Sequence, residues 1–470
     1  QTKNNFMAFG EPTLKSLERK GIVRITKEEV SRLISKYQEI EKLKDLSANQ
    51  QNAYSQINSI FRKKDVCLLH GVTSSGKTEI YIKLIQEQLD QGKQVLYLVP
   101  EIVLTAQIIN RLKKHFGEIV GVYHSHLSNS ERVEVWNAVK QKDKDRVRYR
   151  IVIGARSSLF LPFIDLGLIV VDEEHEPSLK QFHPAPRYHS RDASIYLASL
   201  HKSKVLLGSA TSLETYYNAK KGKFGLVEIH SRFGDMPLPE IHIVDIKKAH
   251  LKKQMVHHFS PVLLSNMSEA LELGKQIILF QNRRGYSPIL ECNTCSWTPV
   301  CKNCDVSLTY HKHVNSLRCH YCGYDVSRLL TCDSCGDENM TDKGFGTEQI
   351  EEDIKILFPD TVTRRMDYDT TRKKNAYRDI IDEFERGDVN ILIGTQMVTK
   401  GLDFDNVEVV GILNADSMLK FPDFRSLERS YQLMSQVAGR AGRKGSIGKV
   451  IIQTYDDKNK IINQVRDHNY

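Results

Sequence analysis

The sequence lacks any apolar run near the roughly 18 to 20 residues of a membrane span, and its start lacks a signal-peptide pattern. These absences predict a cytoplasmic protein with no membrane partner. A strong charge bias is missing as well, since 67 Lys and Arg residues against 58 Asp and Glu residues leave a formal net charge of +9. Such a mild basic excess suits a polyanionic partner, but it is also common in proteins that never bind nucleic acid.

Cysteine is nearly absent outside one short stretch of the chain. Eight of the nine cysteines lie between Cys292 and Cys335, where they form four CxxC pairs, and the ninth, Cys67, stands alone in a predicted strand. In a reducing cytoplasm this crowding indicates metal binding rather than disulfide bonds. Cys67 is expected to be a small buried apolar residue.

From residue 48 onwards, short β-branched runs alternate with amphipathic helices. This alternation is typical of a parallel sheet covered by helices on both faces. The first set of runs is "VCLLH", "QVLYLVP", "IVGVYH", "IVIGA", "LGLIVVD" and "KVLLGSA"; the second, from about residue 275, is "KQIILFQ", "TVTRRMD", "NILIGT", "VEVVGILN" and "GKVIIQT". The pattern predicts an α/β fold with two similar lobes.

The domain prediction follows these two sets of runs. Residues 1–47 are interpreted as the end of a winged-helix module followed by a linker helix, "KEEVSRLISKYQEIEKLKD", or as one long amphipathic lead-in. We predict lobe 1 at residues 48–230. Lobe 2 is predicted at residues 231–290 and 337–470, interrupted by a cysteine-rich insertion at 291–336.

The stretch "LLHGVTSSGKTE" fits the pattern GxxxxGK[ST] between a predicted strand and a predicted helix. Gly71 and Gly76 bound a loop whose amides can surround phosphate oxygens, while Lys77 reaches the outer phosphates and Thr78 holds Mg²⁺. A purely structural Gly- and Ser-rich turn is the competing interpretation. Because the pattern does not recur in the second half, we expect one lobe to bind a nucleoside triphosphate and the other to close over it.

Acidic residues follow the apolar strand "LIVV". Asp172 and Glu173 come 95 residues after Lys77, at the predicted carboxyl end of this strand. One carboxylate can hold Mg²⁺ and its neighbour can activate water, as phosphoryl transfer requires. A solvated acidic turn is the alternative, which the preceding phosphate loop disfavours.

Two arginines in "SQVAGRAGR", Arg440 and Arg443, are predicted to lie on one face of a helix. Small residues around them favour close packing at an interface over an exposed basic helix. A guanidinium from the second lobe could then reach the γ-phosphate only when the lobes close.

The four CxxC pairs predict two tetrahedral zinc sites in a nested arrangement. The inner pairs stand 14 residues apart, as in a zinc ribbon, and only five residues separate the first two pairs, which disfavours consecutive pairing. One site is expected to use Cys301, Cys304, Cys319 and Cys322, and the other Cys292, Cys295, Cys332 and Cys335. Four thiolates fill each shell, so the zinc ions are expected to be structural.

Taken in chain order, six segments resemble the motifs of superfamily 2 helicases. They are "GVTSSGKTE", "LVPEIVLTAQ", "DEEH", "GSAT", "ILIGTQMVTKGLDF" and "QVAGRAGR". With the cysteine-rich insertion between "FQNRRGYSP" and "GFGTEQIEEDI", they resemble the bacterial replication-restart helicases of the primosomal PriA family over roughly residues 46–455. The resemblance implies two RecA-like lobes and the cofactors ATP and Mg²⁺ beside two structural Zn²⁺ ions.

The resemblance also implies roles for single residues. It assigns phosphate and Mg²⁺ binding to Lys77 and Thr78, Mg²⁺ binding and water activation to Asp172 and Glu173, and arginine fingers to Arg440 and Arg443. Gln50 would recognise adenine, although Gln51 is its neighbour. Ser209 to Thr211 would link the nucleotide site to DNA, and Gly401 and Asp403 would respond to nucleotide from lobe 2.

Candidate contacts to single-stranded DNA lie in two loops, "GARSSLFLPF" and "LKQFHPAPRYHSRD". The first offers Arg156, Ser157 and Ser158 to phosphates; the second offers Phe182, His183, Arg187 and Tyr188. Interleaved aromatic and basic side chains suit stacked bases and phosphates, with loops that pack on the core as the alternative.

The family implies an ATP-dependent helicase and translocase that moves 3′ to 5′ on DNA at stalled replication forks and initiates primosome assembly. Implied partners are single-stranded and forked DNA, single-stranded DNA-binding protein and primosome proteins, and we expect a monomer. Members also carry an N-terminal DNA-binding domain and a C-terminal domain, and the chain is interpreted as the helicase core with neither complete. The alternatives are an RNA-directed superfamily 2 helicase and a nucleotide-gated zinc scaffold for protein recruitment.

Overall fold

Two parallel β-sheets organise the molecule. The computed structural model describes residues 11–22, 40–100, 106–125, 127–141, 149–282, 290–292, 294–295, 297–304, 306–311, 315–319, 322–338, 340–342, 347–367, 370–371, 376–399, 404–442 and 447–469. One sheet is built from strands between residues 66 and 229 and the other from strands between residues 240 and 454. The predicted α/β fold with two parallel-sheet lobes is therefore confirmed.

Within the described residues, the first sheet has seven strands, all parallel. The strands are Val66–Gly71 (β1), Gln94–Leu98 (β2), Val120–Tyr123 (β3), Ile151–Gly154 (β4), Leu166–Val171 (β5), Lys204–Ser209 (β6) and Gly225–Ile229 (β7). The helices are Glu11–Arg19 (α1), Ala48–Phe61 (α2), Lys77–Asp90 (α3), Ala106–Phe116 (α4), Asn129–Lys140 (α5), Ser190–His201 (α6) and Leu213–Lys220 (α7). The strand order is β3-β4-β2-β5-β6-β1-β7.

Helices bury both faces of this sheet, which explains why its inner strands are apolar without alternation. Cys67 and Leu69 of β1 pack with α2, α3 and α4. Val66 and Leu68 of the same strand pack with α5, α6 and α7 on the other face. Cys67 is fully buried, as expected, and burial raises the pKa of its thiol to about 12.

In the part of lobe 2 that the structure describes, the second sheet has six parallel strands in the order β15-β16-β9-β17-β18-β8. The lobe 2 strands are Glu240–Asp245 (β8), Gln276–Phe280 (β9), Thr363–Met366 (β15), Ile391–Gly394 (β16), Val407–Ile412 (β17) and Lys449–Thr454 (β18). The strands of the insertion are Leu290–Cys292 (β10), Thr309–His311 (β11), Ser316–Arg318 (β12), Asp325–Ser327 (β13) and Met340–Asp342 (β14). The helices are Ile246–Leu251 (α8), Pro261–Glu272 (α9), Thr347–Leu357 (α10), Ala376–Arg386 (α11), Asp416–Leu419 (α12), Ser426–Ala438 (α13) and Lys460–Arg466 (α14).

The insertion leaves lobe 2 after β9 and returns before α10. Its ends pair as an antiparallel two-stranded sheet of β10 and β14, and β11, β12 and β13 form a separate antiparallel sheet. Strands β11 and β12 form a hairpin between the inner cysteine pairs, as in a zinc ribbon. A small core that includes Leu308, Tyr310 and Leu317 packs beside the cysteines.

Two strands and one helix differ from the sequence-based expectation. The edge strands β7 and β8 were not predicted, because each exposes part of its surface and reads as a short mixed segment. Within the linker helix expected before lobe 1, residues 40–45 carry no helical structure, and residues 27–39 lie outside the described residues.

In the described part of the chain, every helix is too short or too polar to cross a membrane.

Candidate functional site

The phosphate-loop candidate connects the end of β1 to the start of α3. Ser74 and Gly76 both take left-handed backbone conformations, with φ of 62° and 78°. Such residues turn successive N–H groups into a concave anion-binding surface. Gly76 is the N-cap of α3 and contributes no side-chain cap, so the first amides of the helix face the same point. The loop therefore fits phosphate.

Lys77 lies across this loop. Its ammonium donates to the Gly71 carbonyl at 2.8 Å and to the Val72 carbonyl at 3.3 Å, and the residue is 9% exposed. Thr78 follows in the first turn of α3 and is half-buried. The loop carbonyls hold the ammonium at the position from which it could instead reach phosphate oxygens.

Gln50 packs against the loop from α2. Its Oε1 accepts from the Ser47 amide at 2.9 Å and its Nε2 donates to the Gly76 carbonyl at 3.1 Å. A cavity of about 320 Å³ lies beside it, lined by Asn49, Asn52, Ala53, Gln56 and residues 228–231. Gln50 is 1% exposed, and its role towards adenine stays a prediction.

Asp172 stands at the carboxyl end of β5, two strands from β1. Its two carboxylate oxygens accept from Tyr81 Oη at 3.1 Å and Tyr97 Oη at 3.2 Å. Burial first, and then the adjacent Glu173, raise the pKa of Asp172 to about 6, while Lys77 and the two hydroxyls act in the opposite direction. A half-buried carboxylate near enough to the loop lysine for their charges to interact is a suitable Mg²⁺ ligand.

Glu173 takes a conformation that is uncommon for a residue with a Cβ atom, with φ of 49°. Backbone strain of this kind is often kept at functional sites. The side chain points towards lobe 2, where Gln436 Nε2 lies 3.4 Å from Glu173 Oε2.

A chain of side chains joins the acidic motif to α13 across the two lobes. Gln436 Nε2 donates to His175 Nε2 at 2.9 Å, and His175 Nδ1 lies 2.8 Å from Ser209 Oγ. The Gln436 bond requires the tautomer that is protonated at Nδ1, so His175 donates to Ser209. Gln432 also donates to the Thr211 carbonyl at 2.9 Å. Three segments singled out from the sequence, the acidic motif, "GSAT" and "SQVAGRAGR", therefore meet at one interface.

Arg440 does not lie on a helical face as predicted, because α13 ends at Ala438 and residues 439–442 form a turn. Burial lowers the pKa of Arg440, and the nearby Glu173 acts against that shift. The same turn touches the phosphate loop, since a Cβ atom at Gly439 would overlap the Thr73 side chain. The turn thus carries Arg440 into the cleft beside Glu173 and Thr73.

Three residues of the predicted site, Gly401, Asp403 and Arg443, lie outside the described residues.

The candidate DNA loops follow β4 and β5, at the edge of the sheet that also holds the phosphate loop. Arg156 Nη1 donates to the Lys180 carbonyl at 2.6 Å, which joins the two loops. The exposed or half-buried side chains are Ser157, Phe182, His183, Arg187 and Tyr188, whereas Ser158 is buried and donates to the Ala155 carbonyl at 2.6 Å. Lys180 Nζ lies 5.3 Å from the Phe182 ring centroid. The loops offer rings and cations together on one surface.

Phe160 belongs to this surface although the sequence analysis did not single it out. It is 60% exposed and makes an edge contact with Tyr188, with ring centroids 5.3 Å apart. An exposed Phe beside the two predicted serines is the signal that could have identified it.

Arg232 is a second residue that the sequence analysis missed. It lies between the lobes and donates to the carbonyls of Gly442 at 2.7 Å and Ala441 at 3.1 Å, in the turn that carries Arg440. Nothing in the short segment "HSRFG" distinguishes this arginine from a surface residue.

The eight clustered cysteines form two groups of four with the nested composition expected from their spacing. Within each group the sulfur atoms lie within 4.8 Å of one another. Cys292 and Cys335 are 3.6 Å apart, Cys295 and Cys332 are 3.5 Å apart, and Cys301 and Cys322 are 3.6 Å apart. Four thiolates around one Zn²⁺ lie about 3.8 Å from each other, so both groups fit zinc.

All four CxxC turns close in the same way. The amide of the first cysteine in each pair donates to the carbonyl five residues later, from 292 to 297, 301 to 306, 319 to 324 and 332 to 337. The repeated turn directs both thiols of a pair to one side, which is what a shared metal ion requires.

Family models match three parts of the chain. One described as "DEAD/DEAH box helicase" matches residues 47–218, one described as "PriA DNA helicase Cys-rich region (CRR) domain" matches residues 301–326, and one described as "Helicase conserved C-terminal domain" matches residues 346–445. The first and third cover the lobes, and the second covers one group of cysteines.

Curated relatives extend along most of the chain. Replication restart protein PriA of Bacillus subtilis (strain 168) is 42% identical over 463 residues, which cover 97% of this chain and 57% of the relative. Replication restart protein PriA of Synechocystis sp. is 40% identical over 468 residues, which cover 97% of this chain and 56% of the relative. The chain thus spans a little over half the length of these relatives.

Solved structures support the fold. RecG bound to a three-way DNA junction gives a TM-score of 0.51 at 14% identity, covering 90% of this chain and 45% of that chain. DUF1998 helicase MrfA bound to DNA gives a TM-score of 0.52 at 16% identity, covering 90% of this chain and 51% of that chain. Likeness at these identities establishes the two-lobed fold alone.

Proposed function

Because this chain belongs to the PriA family of replication restart helicases, we propose that it is the ATP-driven motor of a DNA helicase that acts at stalled forks. Its activity would be the hydrolysis of ATP coupled to 3′ to 5′ movement along one DNA strand, with primosome assembly as the outcome. Single-stranded and forked DNA, single-stranded DNA-binding protein and primosome proteins are the proposed partners of the whole protein.

The observation that carries this proposal is the meeting of the two lobes at the acidic motif. Gln436 contacts Glu173 and His175, and Arg440 lies close enough to Glu173 for their charges to interact. A nucleotide on the phosphate loop of lobe 1 would therefore be enclosed by groups from lobe 2. Closure of the lobes is then required for turnover, which is how a motor couples hydrolysis to movement.

Each residue has a distinct part in the proposed reaction. Lys77 and the loop amides would bind the β- and γ-phosphates, and Thr78 and Asp172 would hold Mg²⁺, which supplies charge neutralisation on the phosphate oxygens. Glu173 would orient and deprotonate the attacking water. Arg440, together with Arg443, would stabilise the charge that develops in the transition state.

Gln50 would recognise adenine, and Gly401 and Asp403 would respond to the bound nucleotide from lobe 2. The DNA strand would run over the loops that hold Arg156, Ser157, Phe182, Arg187 and Tyr188, where rings stack on bases and cations meet phosphates. Ser209 and His175 are joined by hydrogen bonds to Gln436 of lobe 2, and this chain would couple lobe 1 to lobe 2. The zinc insertion would serve as a structural platform for DNA or partner proteins.

ATP turnover in the presence of single-stranded DNA, RNA of the same sequence, or no nucleic acid tests the proposal. We expect DNA to stimulate turnover, and a Lys77→Ala variant to show none. Equal stimulation by RNA would favour the RNA-directed alternative. If neither DNA nor RNA changes the rate of ATP turnover, in folded protein with zinc bound, the proposal of a motor is wrong.

A second experiment addresses the scaffold alternative. If the Lys77→Ala variant still recruits primosome proteins to forked DNA as well as the unmodified chain does, recruitment depends on nucleotide-independent surfaces. Unwinding of a labelled fork by the unmodified chain, with Lys77→Ala as the control, would show whether this core separates strands.

A further inference from the structure

The segment that crosses from lobe 1 to lobe 2 is tied to the nucleotide cleft by three consecutive residues. Ser231 Oγ accepts from Asn49 Nδ2 at 3.0 Å, next to Gln50. The Phe233 amide donates to the Ser74 carbonyl of the phosphate loop at 2.9 Å. Arg232, between them, points into lobe 2. The crossover is therefore part of the cleft rather than a loose connection.

Arg232 binds the turn that follows α13. Its guanidinium donates to the carbonyls of Gly442 at 2.7 Å, Ala441 at 3.1 Å and Gly439 at 3.3 Å, and to Pro237 at 3.4 Å. Gly439, Ala441 and Gly442 belong to the turn beyond Ala438, the last residue of α13, and a guanidinium has enough N–H donors to bind several of their carbonyls at once. The bound carbonyls come before and after Arg440 in the chain.

The environment of Arg232 is unusual for a cation. The residue is 2% exposed, burial lowers the pKa of its guanidinium to about 10, and its hydrogen bonds in the described part of the chain go to backbone carbonyls rather than carboxylates. Burying a charge without a counterion is unfavourable, so stability alone is a weak reason for an arginine here. The planar guanidinium, however, can bind several fixed carbonyls at once, which an ammonium does less well.

We propose that Arg232 is a positioning residue for ATP turnover, which fixes the turn carrying Arg440 against the phosphate loop. The proposal rests on the proposed function, because it takes Arg440 to be an arginine finger. On one side of Arg232, Phe233 is bonded to the phosphate loop; on the other, the guanidinium holds the carbonyls around Arg440. A shift of the phosphate loop is thus transmitted through Arg232 to the turn around Arg440, and a shift of that turn is transmitted back to the loop.

Arg232→Gln and Arg232→Lys test the proposal in the complete chain with zinc bound. We expect Arg232→Gln to reduce kcat for DNA-stimulated ATP turnover about a hundred-fold, since small misplacements of a transition-state group have effects of this size. KM for ATP and the Kd of a fluorescent ATP analogue should stay within about twofold, because Arg232 does not touch the phosphate loop with its side chain. Arg232→Lys should recover part of kcat.

Lys64→Gln is the matched control, since Lys64 Nζ also binds two backbone carbonyls, those of Gly222 at 2.5 Å and Phe224 at 3.0 Å, away from the cleft. We expect this variant to keep kcat within about twofold even where its melting temperature falls. If Arg232→Gln fails to fold, the comparison of Arg232→Lys with Lys64→Gln carries the test.

A double variant distinguishes a positioning role of Arg232 towards Arg440 from a general contribution of Arg232 to stability. If Arg232 acts through Arg440, Arg232→Gln with Arg440→Gln should be no slower than Arg440→Gln alone. If the two losses of kcat multiply in the double variant, or if Arg232→Gln has the same kcat as Lys64→Gln, the inference is wrong. Slow turnover by Arg440→Gln would in that case leave the proposed function intact. Full turnover by Arg440→Gln would instead overturn the arginine-finger role and the inference with it.

Discussion

The Asp172 carboxyl group lies between two tyrosine hydroxyls from different elements, Tyr81 of α3 and Tyr97 of β2. Burial raises the pKa of both tyrosines well above the ordinary value, so both remain protonated donors at neutral pH. The sequence marks Asp172 by its position after an apolar strand, but it contains no sign of the tyrosines, which approach only in the folded sheet.

Tyr97→Phe should weaken Mg²⁺ binding while preserving the packing of the ring. Loss of one hydroxyl leaves Asp172 less well oriented, and groups that orient a metal ligand typically change affinity by about 10- to 100-fold. The Mg²⁺ concentration for half-maximal ATP turnover should therefore rise by this factor. Tyr149→Phe, a buried tyrosine of the same lobe away from Asp172, is the control. An unchanged Mg²⁺ requirement in Tyr97→Phe would contradict the proposed role of Asp172.

Gly439→Ala should hold the lobes apart. The new methyl group would overlap Thr73, whose Cβ would lie 2.7 Å away, so the turn must leave the phosphate loop. Overpacking of this kind costs about 1–3 kcal/mol, here directed against the closed arrangement. We expect DNA-stimulated ATP turnover to fall about tenfold or more, since 1.4 kcal/mol corresponds to a factor of ten.

The control for Gly439→Ala is a second change on the opposite side of the contact. Thr73→Gly removes the side chain that the methyl group meets, so the double variant should regain turnover relative to Gly439→Ala alone. No recovery in the double variant would mean that Gly439 matters for another reason.

Among the elements, the sequence identified every central strand of the two sheets and the edge strands β3 and β15, but it missed the edge strands β7 and β8. Strands such as β2 and β5 are apolar throughout because helices cover both faces, and each was predicted. The edge strands β7 and β8 alternate buried with exposed positions or are largely half-exposed, so their composition resembles that of loops. Residue spacing did establish the cysteine groups, because a CxxC turn fixes two ligands locally.

The nested grouping of the cysteines gives a prediction that consecutive pairing does not. Cys295 and Cys332 belong to the same group, so Cys295→Ser with Cys332→Ser should remove one zinc ion and leave the other. Cys295→Ser with Cys304→Ser, which affects both groups, should remove both ions. Zinc measured by atomic emission in purified protein distinguishes the cases, and loss of both ions from the first variant would show that the grouping is wrong.

At the scale of the whole molecule, the lobes meet through side chains whose partners lie far away in the sequence. Gln436 reaches His175, Gln432 reaches Thr211, and Arg425 forms an ion pair with Glu214. Motif order predicted that lobe 2 would close over lobe 1, but the identity of these contacts depends on how the two sheets are oriented. Arg232 was missed for the same reason, since its partners are backbone carbonyls about 200 residues away.

Two half-buried histidines, His70 and His189, predict how the stability of lobe 1 depends on pH. Burial lowers the pKa of both His70 and His189 to about 4, with further lowering by Lys77 for His70 and by Arg191 for His189. In the unfolded chain the same groups titrate near the ordinary value of about 6.5. Between these values the unfolded state binds protons that the folded state does not, so stability is complete above about pH 6.5 and is lost as the pH falls towards 4.

Each histidine contributes at most about 1.4 kcal/mol per pH unit to this loss. His70→Gln with His189→Asn should therefore show a shallower fall in melting temperature between pH 7 and pH 5 than the unmodified chain, measured without nucleotide. This interval covers the upper part of the titration range, which runs from about 6.5 to about 4. Zinc ligands also take up protons in acid, but they do so equally in both proteins. His183→Gln, which changes an exposed histidine, should leave the slope unchanged. Equal slopes for the double variant and the unmodified chain would show that burial of these two histidines does not control the acid stability of lobe 1.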